Sequence, residues 1–265
     1  MIGQSPVAML KSQAVDVTMK LLLINPNTTQ SMTDLMLREG RGMVAPDTRL
    51  EAVSGRFGAR YVSSRASYAI AGHAALDAYA EHGADADAVV LACFGDPALL
   101  ALKEIAHQPV IGMAEAACLN AAALGGRFAI VTGGERWGPM MREFVGLMGL
   151  SDRLAFVQTV APTGADIARE PDKALGMLAE ACRACVTDHG ADSVILGGAG
   201  LAGLAARIRG QVPVPLVDSL EACVRMGEML VRSGAGKAKA GSFARTPSVE
   251  TVGVSPALTR MMAGG

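Results

Sequence analysis

The stretch Asp87-Ala88-Val89-Val90-Leu91-Ala92-Cys93-Phe94-Gly95-Asp96-Pro97 decides how the chain is read. Ala88 to Ala92 is a continuous apolar run, the mark of a strand buried on both faces of a parallel sheet. It ends on a thiol. Gly95 allows a tight turn, Asp96 suits an N-cap, Pro97 suits the first helical position, and Ala98 to Ile105 continues in helix-forming residues. Cys93 is therefore expected at a strand-to-helix turn, at the carboxyl end of a strand, where open α/β sheets bind their ligands. A helix N-terminus beside it is expected to favour the thiolate and to lower the thiol pKa from about 8.5. For a lone intracellular cysteine the alternative is a buried, inert thiol.

The same pattern returns later in the chain. Shifted by 105 residues, Ala86 to Gly95 falls without a gap on Ala191-Asp192-Ser193-Val194-Ile195-Leu196-Gly197-Gly198-Ala199-Gly200, and the register carries on to Ala117-Cys118 over Ala222-Cys223. A shift of 107 sets Lys20 to Asn27 on Arg127-Phe128-Ala129-Ile130-Val131-Thr132-Gly133-Gly134. Matched order across several segments predicts two similar α/β lobes, each with a mainly parallel sheet flanked by helices. If the lobes face each other about a pseudo-twofold, the turns at Cys93 and Gly198 flank one cleft. One wall then carries a thiol and the other bare backbone.

The first lobe is expected over 19–125, completed by 216–232, and the second over 126–215. Residues 1–18 read as a flexible extension and 233–265 as a flexible tail rich in Gly, Ala, Ser and Lys/Arg. With 24 Lys+Arg against 25 Asp+Glu, no basic excess points to nucleic acid or an anionic membrane. A small-molecule substrate is the expected partner. Five scattered cysteines do not form a disulfide framework, and no secretory or membrane-spanning pattern is present, so a soluble cytoplasmic protein is expected. Cys182 and Cys185 share one face of a predicted helix and read as structural. The histidines at 73, 82, 107 and 189 are dispersed, and no metal is predicted.

Between these landmarks, Asn25-Pro26-Asn27-Thr28-Thr29 follows the first strand, and Leu50 to Val53 forms the second. Ser54 to Ser67 reads as a mobile, solvated loop from which Tyr61, Ser63, Ser64 and Arg65 can reach a substrate. Thr132-Gly133-Gly134-Glu135-Arg136-Trp137 lacks the Lys-Ser/Thr ending of a P-loop, and Gly197 to Gly200 lacks the spacing of a dinucleotide fingerprint.

Leu23 to Thr29, the Cys93-Phe94-Gly95-Asp96-Pro97 turn and the Gly197 to Gly200 turn together resemble the Asp/Glu racemase superfamily, especially its hydantoin racemase branch, over about residues 19–231. That resemblance implies two pseudo-symmetric lobes with the site between them, no cofactor, and two cysteines acting as acid and base on opposite faces of an acidic α-carbon. The sequence departs from it where the second cysteine falls on Gly198 and where a Thr-Thr pair falls on Thr132-Gly133. Cys93 is the expected catalytic residue. Asn25, Thr132 and the backbone N–H groups of Phe94, Gly133 and Ala199 are expected to stabilise an enolate, with Gly95, Gly198 and Gly200 completing the substrate-binding set. The implied activity is a cofactor-independent isomerase of the racemase/epimerase kind acting on a hydantoin or amino-acid derivative, in a homo-oligomer. With one thiol, proton exchange is expected on one face. A single-cysteine decarboxylase of malonate type and a non-catalytic small-molecule binding protein are the alternatives.

Overall fold

The computed structural model describes residues 18–234 and 236–264. Its first sheet holds β1 (Met19–Asn25), β2 (Thr48–Ser54), β3 (Ala88–Leu91) and β4 (Val110–Gly112) in the order β2-β1-β3-β4. The second repeats that order as β6-β5-β7-β8, with β5 (Phe128–Gly133), β6 (Leu154–Val160), β7 (Ser193–Gly197) and β8 (Leu216–Asp218). Every pairing is parallel. The helices are α1 (Gln30–Arg41), α2 (Arg65–His82), α3 (Leu99–Ile105), α4 (Met113–Leu124), α5 (Trp137–Leu147), α6 (Gly164–Arg169), α7 (Pro171–Thr187), α8 (Leu204–Ile208), α9 (Ser219–Arg232) and α10 (Pro256–Met262). The expected two-lobe α/β architecture is therefore present.

The repeat extends to single hydrogen bonds. Asp87 accepts from the Lys20 N–H at 2.7 Å, and Asp192 accepts from the Arg127 N–H at 2.8 Å. The N–H of Val89 donates to the Pro109 carbonyl, as that of Val194 does to Pro215. In each sheet the chain leaves the central pair of strands toward opposite edges, so the carboxyl ends of β1 and β3, and of β5 and β7, sit at a switch point. The loops after those four strands carry the site.

Alternation along each strand divides the apolar side chains between two layers. Leu21 and Leu23 of β1, Phe128 and Ile130 of β5, and Ile195 of β7 share one core with α4 and α9. Leu22 and Ile24 face α2 and α3, while Ala129, Val131, Val194 and Leu196 face α7 and α8. Helix α4 follows the first sheet but packs on β5, β7 and β8; α9 follows the second sheet but packs on β1, β3 and β4. The two helices lie against each other, each having crossed to the opposite lobe.

Several boundaries differ from the sequence reading. Leu216–Asp218, placed with the first lobe, pairs with β7 in the second sheet, so only α9 returns. Strand β6 was not anticipated, because a half-exposed edge strand carrying Gln158 and Thr159 lacks a clean apolar run. The last residues of the Ser54 to Ser67 stretch are ordered by a capping box in which Ser64 and Ser67 bind each other's backbone N–H at the start of α2. Within the tail expected to be flexible, Ser255 caps α10, which packs on α2 with Ala257 and Leu258 buried. The expected N-terminal extension lies, except for Thr18, outside the described residues. Among the described residues no helix is long and apolar enough to cross a membrane, and all five cysteines are free and buried, with Cys182 and Cys185 inside the second lobe's outer core.

Because one core spans both sheets, its loss should be felt by both lobes. Ile130→Ala is expected to lower stability by about 2–5 kcal/mol. Urea unfolding followed by far-UV circular dichroism and by the fluorescence of Trp137 should give coincident curves; separated transitions would show that the lobes unfold independently.

Candidate active site

Cys93 is delivered by the carboxyl end of β3, and its carbonyl accepts from the Asp96 N–H at 2.9 Å. The turn that follows uses left-handed backbone at Gly95 (φ 112°), Asp96 (φ 55°) and Ala98 (φ 62°), so α3 does not begin until Leu99. Asp96 was expected to cap that helix. Its left-handed backbone instead sends the carboxylate to the start of α4, where it accepts from the N–H groups of Ala114 at 2.9 Å and Glu115 at 2.7 Å. Gly112 beside it has no room for a Cβ, which would overlap the carboxylate.

The thiol environment also differs from expectation. The helix N-terminus that was to stabilise a thiolate starts six residues beyond Cys93. The thiol is buried, 7% exposed, and this burial, reinforced by the nearby Asp96 carboxylate, pushes its pKa up to about 12. In the resting protein Cys93 is a neutral acid. Burial likewise raises Asp96 to about 8, against the two N–H bonds that favour its charged form.

The facing wall comes from the second lobe. Strand β5 ends in Thr132-Gly133, and β7 ends at Gly197, followed by Gly198 (φ 134°) and the 3-10 turn Ala199–Leu201. The Gly198 N–H is held by the Ser219 hydroxyl at 3.2 Å. The glycines here were expected to bare backbone toward a ligand, but packing accounts for several. A Cβ at Gly197 would run into the Phe94 ring, which crosses from the first lobe. A Cβ at Gly200 would strike the Gly164 carbonyl, and one at Gly133 the backbone of Pro162 to Gly164.

Cys93, Phe94, Thr132, Gly133, Gly198, Ala199 and Gly200 line one cavity of about 40 Å³ between the lobes, room for a few waters. Asn25 and Gly95 are not in it. Asn25 is fully buried; its amide donates to Asn27 at 3.0 Å and to the Thr33 hydroxyl at 2.8 Å, while its carbonyl accepts from the Asn27 N–H. It holds the loop, and Asn27 lines the cavity in its stead. Gly95 faces Trp137 and Met141, and its carbonyl accepts from the Tyr68 hydroxyl at 2.7 Å.

Ala92 and Gly197 at the strand ends and Trp137 of the Thr132 to Trp137 loop line it too, and Met32, Val62, Gly164 and Leu201 join them unannounced by the sequence. Tyr61, read with a solvated loop, reaches the cavity, and its hydroxyl accepts from the Gly164 N–H at 3.2 Å. Burial raises the Tyr61 pKa, opposed by that N–H. Ser63 and Ser64 organise the start of α2. Arg65 does not line the cavity; it pairs with Glu143 of α5, joining the two lobes.

Asp96 gives the site a measurable pH signature. A carboxyl whose pKa rises from about 4 in the unfolded chain to about 8 in the folded one binds more protons when folded across that window, so its contribution is present at low pH and is lost as pH rises. Equilibrium urea unfolding should show stability falling between pH 4 and 8, by up to ~1.4 kcal/mol per pH unit from this group. Asp96→Asn should flatten that fall, and an unchanged slope would assign it elsewhere.

The family model described as Asp/Glu/Hydantoin racemase matches residues 21–227. A hydantoin racemase from Paenarthrobacter aurescens is 33% identical over 85% of this chain and 96% of its own. An allantoin racemase from Klebsiella pneumoniae superposes with a TM-score of 0.85 at 31% identity, covering 89% of this chain and 97% of its own. Another from Pseudomonas fluorescens gives the same TM-score at 29% identity, covering 89% and 100%. The family match spans both lobes and every loop that lines the cavity. The chain belongs to the Asp/Glu/hydantoin racemase family.

Proposed function

We propose that this chain is a cofactor-independent racemase acting on an uncharged, hydantoin-type ring whose α-carbon is activated by an adjacent carbonyl, with Cys93 transferring the proton. The observation that carries this reading is the chemistry of the cavity wall. Beside the Cys93 thiol it offers the Asn27 amide, the hydroxyls of Thr132 and Tyr61 and the backbone of the Ala199 turn, but, among the described residues, no Lys, Arg, His, Asp or Glu side chain. A free amino acid would bring an ammonium and a carboxylate into this largely apolar cavity with no charged partner on its walls, at a large desolvation cost. A cyclic ureide brings only amide N–H and C=O groups, which neutral donors and acceptors satisfy.

Removing the α-proton puts negative charge on the neighbouring carbonyl oxygen. The first N–H groups of the 3-10 turn Ala199–Leu201 have no acceptors within the turn, and with the Thr132 hydroxyl they suit a developing enolate. A one-cysteine malonate decarboxylase, the other reading of a single thiol, would have to seat carboxylates against a wall without a cation. The hydantoin names of the relatives favour the ring substrate as well.

Two measurements test the proposal. Proton NMR in deuterated water should show loss of the C5 proton of a 5-substituted hydantoin and no change in free amino acids or substituted malonates. Cys93→Ala should abolish racemisation with the circular dichroism unchanged, and wild-type turnover in that variant would remove Cys93 from the mechanism. The pH profile supplies the second test. A resting thiol with a pKa of about 12 is ionised only in trace near neutrality, and each pH unit raises that fraction tenfold. Log(kcat/KM) should therefore climb with a slope near one from pH 7 to 9; a plateau below pH 8 would point to a different base.

A further inference from the structure

Racemisation needs a proton on each face of the α-carbon, and the reading above, on which this inference rests, fills one face only. We propose that the Tyr61 hydroxyl carries the proton on the face opposite Cys93, where Gly198 offers no side chain. Among the described residues lining the cavity, Cys93 and Tyr61 alone bear protons that ionise in the aqueous range.

Their placement suits opposed roles. Cys93 belongs to the first-lobe wall. Tyr61 also leaves from the first lobe, between β2 and α2, but its ring spans the cleft and its hydroxyl ends on the second lobe. There it accepts from the Gly164 N–H at 3.2 Å and lies 3.6 and 3.7 Å from where Cβ atoms would stand on Gly164 and Gly134. Gly164 packs in turn on Gly200, two residues past Gly198. The phenol oxygen thus sits on Gly164, the residue that packs against the turn that has no thiol. An N–H directed at that oxygen stabilises the phenolate left after proton donation. The Thr132 hydroxyl lies closer to Gly198, 3.8 Å from a Cβ there, but an alcohol does not give up its proton in this range and serves to orient the carbonyl.

The step balances without a co-reactant. For one enantiomer the Cys93 thiolate takes the α-proton, the C–H pair moves into the carbonyl as the enolate forms, and an S–H bond is made. The Tyr61 O–H bond then breaks, its proton reaches the opposite face, and the enolate pair becomes the new C–H bond. The other enantiomer runs the sequence in reverse, with the phenolate as base. Cavity water returns the proton between thiol and phenolate after release.

The test uses the full chain and both enantiomers of 5-methylhydantoin in deuterated water, followed by chiral chromatography and by NMR of the C5 position. The wild type should invert each enantiomer with deuterium at C5. Tyr61→Phe keeps the ring and should lose inversion by 100-fold or more, while the enantiomer whose C–H faces Cys93 still exchanges with retention. Cys93→Ala should leave exchange in the other enantiomer only. This reciprocal pattern is one that a merely structural tyrosine would not produce. If Tyr61→Phe inverts at the wild-type rate, or loses inversion and exchange in both enantiomers equally, the assignment of Tyr61 is wrong while the substrate reading stands. If the wild type leaves both enantiomers untouched, the substrate reading falls and this inference with it.

Discussion

Everything in this molecule hangs on the crossing of α4 and α9. Each helix is made by one half of the chain and buried under the sheet of the other, so neither half has a complete core alone. The apolar contact that results is one continuous layer containing Leu21 and Leu23 from one sheet and Phe128, Ile130 and Ile195 from the other. Its burial fixes the lobes back to back at their base and leaves the carboxyl ends of β1, β3, β5 and β7 facing across a cleft. The site is a consequence of that exchange, because its two walls come from separate halves.

Burial also sets the character of the chemistry. A cavity lined by Phe94, Trp137 and Tyr61 and, among the described residues, by no charged side chain disfavours a resting thiolate, and burial keeps Cys93 neutral. On the function proposed above, a base with a high pKa is scarce in its active form but strong when present, which suits an α-proton that is itself weakly acidic. The same low dielectric that suppresses the thiolate would, on that proposal, strengthen the N–H and hydroxyl contacts to an enolate. Asp96 stands just behind this wall. Its carboxylate is spent on the first N–H groups of α4, tying the cysteine turn to the helix that crosses between the lobes.

Much of this was legible in the residues. Buried parallel strands announce themselves as apolar runs, and the 105-residue repeat by itself sets Cys93 against Gly198. The missed strand β6 was accessible by the same route, since a shift of 106 lays Thr48 on Leu154. What sequence could not supply was direction. Asn25 and Asn27 have the same chemistry two residues apart, and only the turn between them decides which is consumed by Thr33 and which lines the cavity. Asp96 looked like a cap for the helix after it because capping is local by habit, whereas its backbone sends it to another helix. Tyr61 lay in a polar, glycine-bearing stretch that reads as solvent-exposed, and its reach to Gly164 depends on how the lobes meet.

The backbone of Gly198 bears on how such a site changes over generations. At φ 134° and ψ 145° it occupies a region held almost only by glycine, where any other residue is strained by about 1–3 kcal/mol. Space for a side chain is not the obstacle, since the nearest atoms to a Cβ there are at ordinary contact distance. A lineage with this turn therefore cannot acquire a second thiol by one substitution at no expense. The loop must first be rebuilt, or the rest of the fold must hold stability in reserve. The backbone at this position, more than any lack of room, is what keeps a side chain out of the second wall of the cleft.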